Sequence, residues 1–200
     1  MPAYKLVNKR RFPVPRVIIV RGAPGVGKTE IARKTASLLK ARKKARIPID
    51  FLQDFDMRGP SKDKMKLGVY HAAVITRSYV REGFDVVIDY VFDVPEDLEF
   101  FVDKVFRSNT GPTAPCVIQI FYLTAPLEIV SKRNQSRDLV MNKSLLAKLY
   151  KACEKSKGAT CGEIVIDTAR RSIKQVAKMI LQERTALRAL GKVCQIELSA

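Results

Sequence analysis

Apolar residues gather in five short runs along this chain, near residues 17–20, 47–52, 85–89, 116–123 and 163–167. Each has the length and β-branched content of a buried strand. Between them, apolar positions recur at helical spacing, which predicts helices over 28–42, 64–82, 95–107, 126–135, 143–156 and 172–190. Pro95 and Pro126 fall in the first turns of two of these, where a missing N–H costs nothing. The last helix places Ile173, Val176, Ala177, Ile180, Leu181, Leu187 and Leu190 on one stripe, so it should pack on the sheet. Ser108 to Pro115 reads as an exposed loop. Alternating strands and helices predict an α/β three-layer sandwich whose five-stranded, mostly parallel sheet lies between helices. A basic, proline-containing lead-in precedes the first run. The tail from Gly191 to Ala200 alternates Val193, Ile196 and Leu198, a pattern that suits an edge strand or an interface.

Composition narrows this picture. The 200 residues are 46% apolar, enough for one domain spanning 1–200 with a sizeable core. No apolar run approaches the ~20 residues that cross a bilayer, and the N-terminal stretch lacks a signal-peptide pattern, so the expected location is cytoplasmic. Cys116, Cys153, Cys161 and Cys194 show no C-x-x-C pairing and read as free thiols, with a Cys153–Cys161 disulfide as the alternative. His71 lies among Ala72, Ala73 and Val74 and reads as a packed or half-exposed histidine.

Charge changes the picture more. Lysine and arginine number 37 against 20 acidic residues, a net charge of +17. That surplus exceeds what solubility needs and makes a polyanion a candidate partner. The basic residues are spread along the chain, with a dense stretch at Lys40 to Arg46 (KARKKAR), so nucleic-acid binding and a solvated basic surface both stay open.

The chemistry centres on Gly22, Ala23, Pro24, Gly25, Val26, Gly27, Lys28 and Thr29 (GAPGVGKT), set between the first strand and a helix. The glycines let successive backbone N–H groups face phosphate oxygens. Lys28 reaches the β and γ phosphates, Thr29 offers its hydroxyl to Mg2+, and the helix N-terminus adds partial positive charge. After the second strand, QDFDMRG places Asp54, Asp56 and Arg58 at a carboxyl end, where open α/β sheets build their sites. A carboxylate there can orient an attacking hydroxyl and take its proton, or simply form a turn. Asp89 ends the third strand, where a carboxylate can hold magnesium directly or through water. Arg133 and Arg137 follow the fourth strand, spaced to share one side of a helical turn, as arginines closing over a migrating phosphoryl group would be. Arg170 and Arg171, after the last strand, are placed to contact the base or to face solvent.

Taken together, these motifs resemble the P-loop kinases, and more narrowly the polynucleotide 5′-hydroxyl kinases with their zeta-toxin-like and chloramphenicol-phosphotransferase-like relatives. The resemblance covers most of residues 16–185. GAPGVGKT matches the phosphate loop, QDFDMR looks like the family's aspartate-bearing stretch, KRNQSR followed by LLAKLYKACEK is similar to its arginine-bearing lid near 133–143, and IDTARRS resembles the strand and loop lining the adenine. The resemblance implies ATP and Mg2+ as cofactors, phosphate binding by Lys28, metal binding by Thr29 and lid roles for Arg133 and Arg137. The family's aspartate usually stands three residues before the arginine. Here Phe55 holds that position, with Asp54 and Asp56 on either side and Asp54 preferred as the base. Asp89 is followed by Tyr90 and Val91 where small polar residues are common in the family.

The expected function is transfer of the γ-phosphoryl group of ATP to a hydroxyl, foremost the 5′-hydroxyl of RNA or DNA. The alternatives are a kinase for a nucleoside, nucleotide, sugar or antibiotic on the same scaffold, and an NTPase switch or nucleotide-dependent binding protein.

Overall fold

The computed structural model describes residues 5–8, 14–53, 62–106, 116–183 and 185–188. Among these residues seven strands and six helices follow one another: β1 (Lys5–Asn8), β2 (Arg16–Arg21), α1 (Lys28–Leu38), β3 (Lys44–Pro48), a 3-10 turn (Ile49–Gln53), α2 (Lys62–Arg81), β4 (Asp85–Asp89), α3 (Pro95–Phe106), β5 (Val117–Thr124), α4 (Leu127–Gln135), α5 (Lys143–Lys155), β6 (Glu163–Asp167), α6 (Ile173–Gln182) and β7 (Thr185–Arg188). Five of the strands are parallel in the order β3-β4-β2-β5-β6, with β2 at the centre.

Burial on both faces explains why these strands read as unbroken apolar runs. Val17, Ile19, Val86, Ile88, Ile118 and Ile120 join one core with residues of α2 and α3. Ile18, Val20, Val87, Phe121 and Leu123 join the other with residues of α1, α4, α5 and α6. The alternation along β2 decides which helix layer each residue meets.

Three expectations are corrected. The second strand, expected over 47–52, occupies Lys44–Pro48 and pairs Lys44 with Asp85 through Pro48 with Asp89. β3 is an edge strand, so its polar residues tolerate solvent, and Pro48 ends it without costing a ladder bond. Residues 49–53, with β4 ended at Asp89, coil into the 3-10 turn. The first helix stops at Leu38, four residues before its expected end.

The last helix, expected to reach residue 190, ends at Gln182, and Leu187 lies on a strand. β6 pairs only with Ile120 to Thr124 of β5. The lower part of that side of β5 is filled by antiparallel β7, which sets Leu187 opposite Ile118. Buried backbone groups must find partners, and here that requirement outweighs helical propensity. β7 in turn pairs with β1, which lies in the lead-in where no strand was expected. The tail 191–200, Cys194 and the loop 108–115 lie outside the described residues.

Among the described residues no helix is long and apolar enough to cross a membrane. Cys116 and Cys153 are buried free thiols and Cys161 is an exposed one. His71 is exposed on α2 with its ring 6.1 Å from that of Tyr70.

Candidate phosphoryl-transfer site

The phosphate loop leaves β2 at Gly22, whose φ of 133° already excludes ordinary side chains. A Cβ there would stand 2.2 Å from the Leu123 carbonyl oxygen, and one on Gly25 would stand 3.0 Å from Val130. β5 and α4 therefore hold the loop from behind. Gly27 precedes α1 with no side chain capping it, which leaves the first N–H groups of that helix to bind an anion.

Lys28 folds back so that its Nζ donates to the Ala23 carbonyl at 3.0 Å. Desolvation of the ammonium lowers its pKa to about 8, against the opposing pull of Asp50 and Asp89. Thr29 is exposed on the first turn of α1. Its hydroxyl, next in sequence to Lys28, could take one position of a magnesium ion whose other ligands are phosphates and water.

Asp89 is buried at the end of β4, level with Val20 of β2. Both of its oxygens accept from Arg46, at 2.9 Å from Nε and 3.1 Å from Nη2. Two of its roughly four lone-pair directions are thus occupied, so a metal would meet the remaining ones, directly or across a water.

Asp54, Asp56 and Arg58, the expected acceptor-side residues, lie outside the described residues. A carboxylate that sequence reasoning missed stands just before them. Asp50 is the second residue of the 3-10 turn after β3, at the carboxyl edge of the sheet. It is exposed as a residue, yet enough protein surrounds its carboxyl for desolvation to raise the pKa, partly offset by Lys28 and Arg137. The strand expected over 47–52 had hidden it. Pro48 was the available signal that the strand ended earlier.

Arg133 and Arg137 converge on one space by a different route from the expected one. α4 ends at Gln135, so the two arginines share no helical turn; Arg137 lies in the segment beyond the helix. Both line a cavity of about 490 Å³ between Gly25 to Gly27 of the phosphate loop and the start of α6. That is the size range of small-ligand sites. Arg133 donates to the Thr168 hydroxyl at 3.1 Å and to the Thr168 carbonyl at 2.8 Å. The Thr168 hydroxyl lies 3.0 Å from the Val26 carbonyl, joining the loop after β6 to the phosphate loop. Arg137 acts electrostatically on both Lys28 and Asp50. Arg170 is exposed and does not line this cavity; Arg171 does, and donates to the Asp167 carbonyl at 2.6 Å.

Behind the site, Arg21 is fully buried. It donates to Phe92 O at 2.8 Å and to Ser156 Oγ and O at 3.0 and 2.5 Å, and it pairs with the buried Glu163. Its guanidinium also lies 4.9 Å from the centre of the Tyr122 ring. This network binds the end of β2 to β6 and to the end of α5.

No family model and no curated protein matches the chain. Solved structures do. A sugar kinase from Janibacter sp. HTCC2649 is 19% identical with a TM-score of 0.64, over 84% of this chain and 93% of that one. The tunicamycin resistance protein of Deinococcus radiodurans is 18% identical with a TM-score of 0.61, over 83% and 93%. A chain of the Pnkp1/Rnl/Hen1 RNA repair complex is 18% identical with a TM-score of 0.57, over 76% of this chain and 48% of that one. The fold is therefore that of the P-loop kinases.

Proposed function

We propose that this chain is a kinase that transfers the γ-phosphoryl group of ATP to the hydroxyl of an acceptor. The observation that carries this reading is that Asp50, Lys28 and Arg137 act on one another at the carboxyl edge of the sheet, next to the phosphate loop. In this reading the carboxylate meets the acceptor hydroxyl and the two cations meet the phosphates.

In the proposed reaction Asp50 orients the hydroxyl and accepts its proton as the new O–P bond forms. The bond from the γ phosphorus to the bridging oxygen breaks, and ADP leaves with that electron pair. Lys28 and the phosphate-loop N–H groups hold the phosphates, while Arg133 and Arg137 meet the charge spread over the migrating group. Thr29, and Asp89 through its remaining lone pairs, would hold Mg2+, which neutralises phosphate charge. Asp54, Asp56 and Arg58 are assigned to the acceptor side, and Arg170 with Arg171 to the mouth of the nucleoside pocket.

A small hydroxyl compound is the acceptor that the geometry supports better. Within the dense basic stretch, Arg46 is taken up by Asp89, and Lys43 and Lys44 lie at the opposite, amino edge of the sheet, where Lys44 Nζ donates to Ser37 O and Leu39 O and Lys43 Nζ donates to Glu82 O. Those lysines close the carboxyl ends of α1 and α2, which is a structural use of their charge. The 5′-hydroxyl of a polynucleotide is the second reading, favoured by the net charge of +17. The test is transfer from γ-labelled ATP with magnesium to a panel of 5′-hydroxyl oligonucleotides, nucleosides, nucleotides, sugars and amino alcohols. Label on any acceptor supports the kinase reading; label on none, with ATP hydrolysed, supports a switch instead.

A further inference from the structure

Asn134 is the penultimate residue of α4, yet its side chain bonds to a residue seven positions further on. Its Nδ2 donates to the Met141 carbonyl at 2.8 Å, and its Oδ1 accepts from the Met141 N–H at 3.2 Å. One amide thus meets both main-chain groups of a single residue, as a neighbouring strand would. At 2% exposure it does so away from competing water.

These bonds close residues 134–141 into a ring. Met141 is half-buried and packs against the core that includes Val130 of α4 and Leu146 of α5. Asn142 follows at once as the N-cap of α5, its side chain accepting from the Ser144 N–H at 2.8 Å. Within the ring, the Ser136 hydroxyl donates to the Arg133 carbonyl at 3.0 Å and the Arg137 N–H to the Asn134 carbonyl at 3.3 Å. Residues 135–140 are all exposed. A segment so open to solvent gains little from packing, so its shape is left to its two tied ends.

Arg133 and Arg137 depend on this ring unequally. Arg133 belongs to α4 and grips Thr168 with its own guanidinium. Arg137 reaches the same cavity from the exposed segment, so the backbone beneath it decides where its guanidinium falls. Freeing Met141 from Asn134 would let the segment open, and a misplacement of about 1 Å in a reacting site can cost ~10²-fold in rate. We propose that Asn134 is a positioning residue for phosphoryl transfer: by closing the ring on Met141 it holds Arg137 beside the phosphate loop. This rests on the kinase reading above, in which Arg137 meets the charge on the migrating group.

The experiment follows loss of the γ label from ATP with magnesium, to water or to an acceptor, in the wild-type chain, Asn134→Ala, Arg137→Ala and the double variant. Gln135→Ala, at the exposed neighbour, is the control and should stay within about twofold of wild type. Asn134→Ala should lower kcat about threefold or more, with ADP affinity by calorimetry within about twofold. Added to Arg137→Ala, it should lower kcat by less than about twofold further, because a residue acting through Arg137 has nothing left to position. A general weakening of the fold would instead add to the loss at Arg137. Asn134→Asp keeps the shape but turns a second oxygen toward the Met141 carbonyl, and gives the same comparison should Asn134→Ala not fold. Losses at Asn134 and Arg137 that multiply, an ADP affinity that falls with kcat, or a kcat changed less than about threefold in Asn134→Ala overturns the inference and leaves the kinase reading standing. No loss of label from ATP in the wild-type chain overturns both.

Discussion

Arg133 grips Thr168 twice, at its hydroxyl and at its carbonyl, and the same hydroxyl reaches the Val26 carbonyl of the phosphate loop. One buried threonine thus couples the loop after β6, which borders the cavity, to the loop that would hold the phosphates.

Thr168→Val keeps the shape of that side chain and removes its hydrogen bonds. Leaving these buried partners unpaired should cost about 1–3 kcal/mol of stability. The ATP KM should rise more than kcat falls, because the change loosens the pocket without touching the acceptor. Urea unfolding and steady-state kinetics check both, and an unchanged ATP KM would show that the link is only structural.

Nucleotide affinity should fall as pH rises through about 8. Phosphates favour the ammonium form of Lys28, which the unliganded fold gives up near that pH. Binding at pH 9 should then take up a proton, visible by calorimetry in two buffers of different ionisation enthalpy. The unfolded lysine stays protonated to its ordinary value of 10.5, so the unliganded fold should gain stability between about pH 8 and 10.5. Affinity that is flat from pH 7 to 10 would contradict the assignment.

Removing the carboxylate beside Arg21 strands a buried cation. Glu163→Ala should lower unfolding stability by about 3–5 kcal/mol, whereas the double change Arg21→Met with Glu163→Leu should lose less. Denaturant midpoints at equal slope compare the two, and a milder effect of the single change would refute the pairing's structural role.

Asp50→Asn should lower kcat by about 10²–10⁴-fold while nucleotide affinity holds. The base must be ionised, and desolvation raises its pKa, so wild-type activity should fall on acidification at a higher pH than an ordinary aspartate would give. Asp54→Asn and Asp56→Asn test the neighbouring positions. A larger loss at either would move the base to it.

The central strands and the phosphate loop were legible because their signals are local: unbroken apolar runs for strands buried on both faces, and glycines whose spacing serves a backbone turn. What escaped depended on partners distant in sequence. Lys44, Ala45 and Arg46 look nothing like a strand until β4 is beside them. Leu187 fits a helical stripe as well as a strand, and only the unpaired flank of β5 decides between them. Asp50 was hidden by the same one-strand shift, since a residue inside a strand cannot also be the group that follows it. The spacing of Arg133 and Arg137 suggested a shared helical turn, but α4 ends between them and it is the cavity they both line that brings them together.

The contact between Lys28 and the Ala23 carbonyl has a consequence for selectivity. Any ligand entering the phosphate loop must offer the ammonium something better than an uncharged oxygen already within reach. A nucleoside brings no such group, whereas a triphosphate brings several anionic oxygens at once. The loop thereby sets a threshold that shape alone would not impose, and compounds that copy the base and sugar but lack phosphates should compete poorly with ATP.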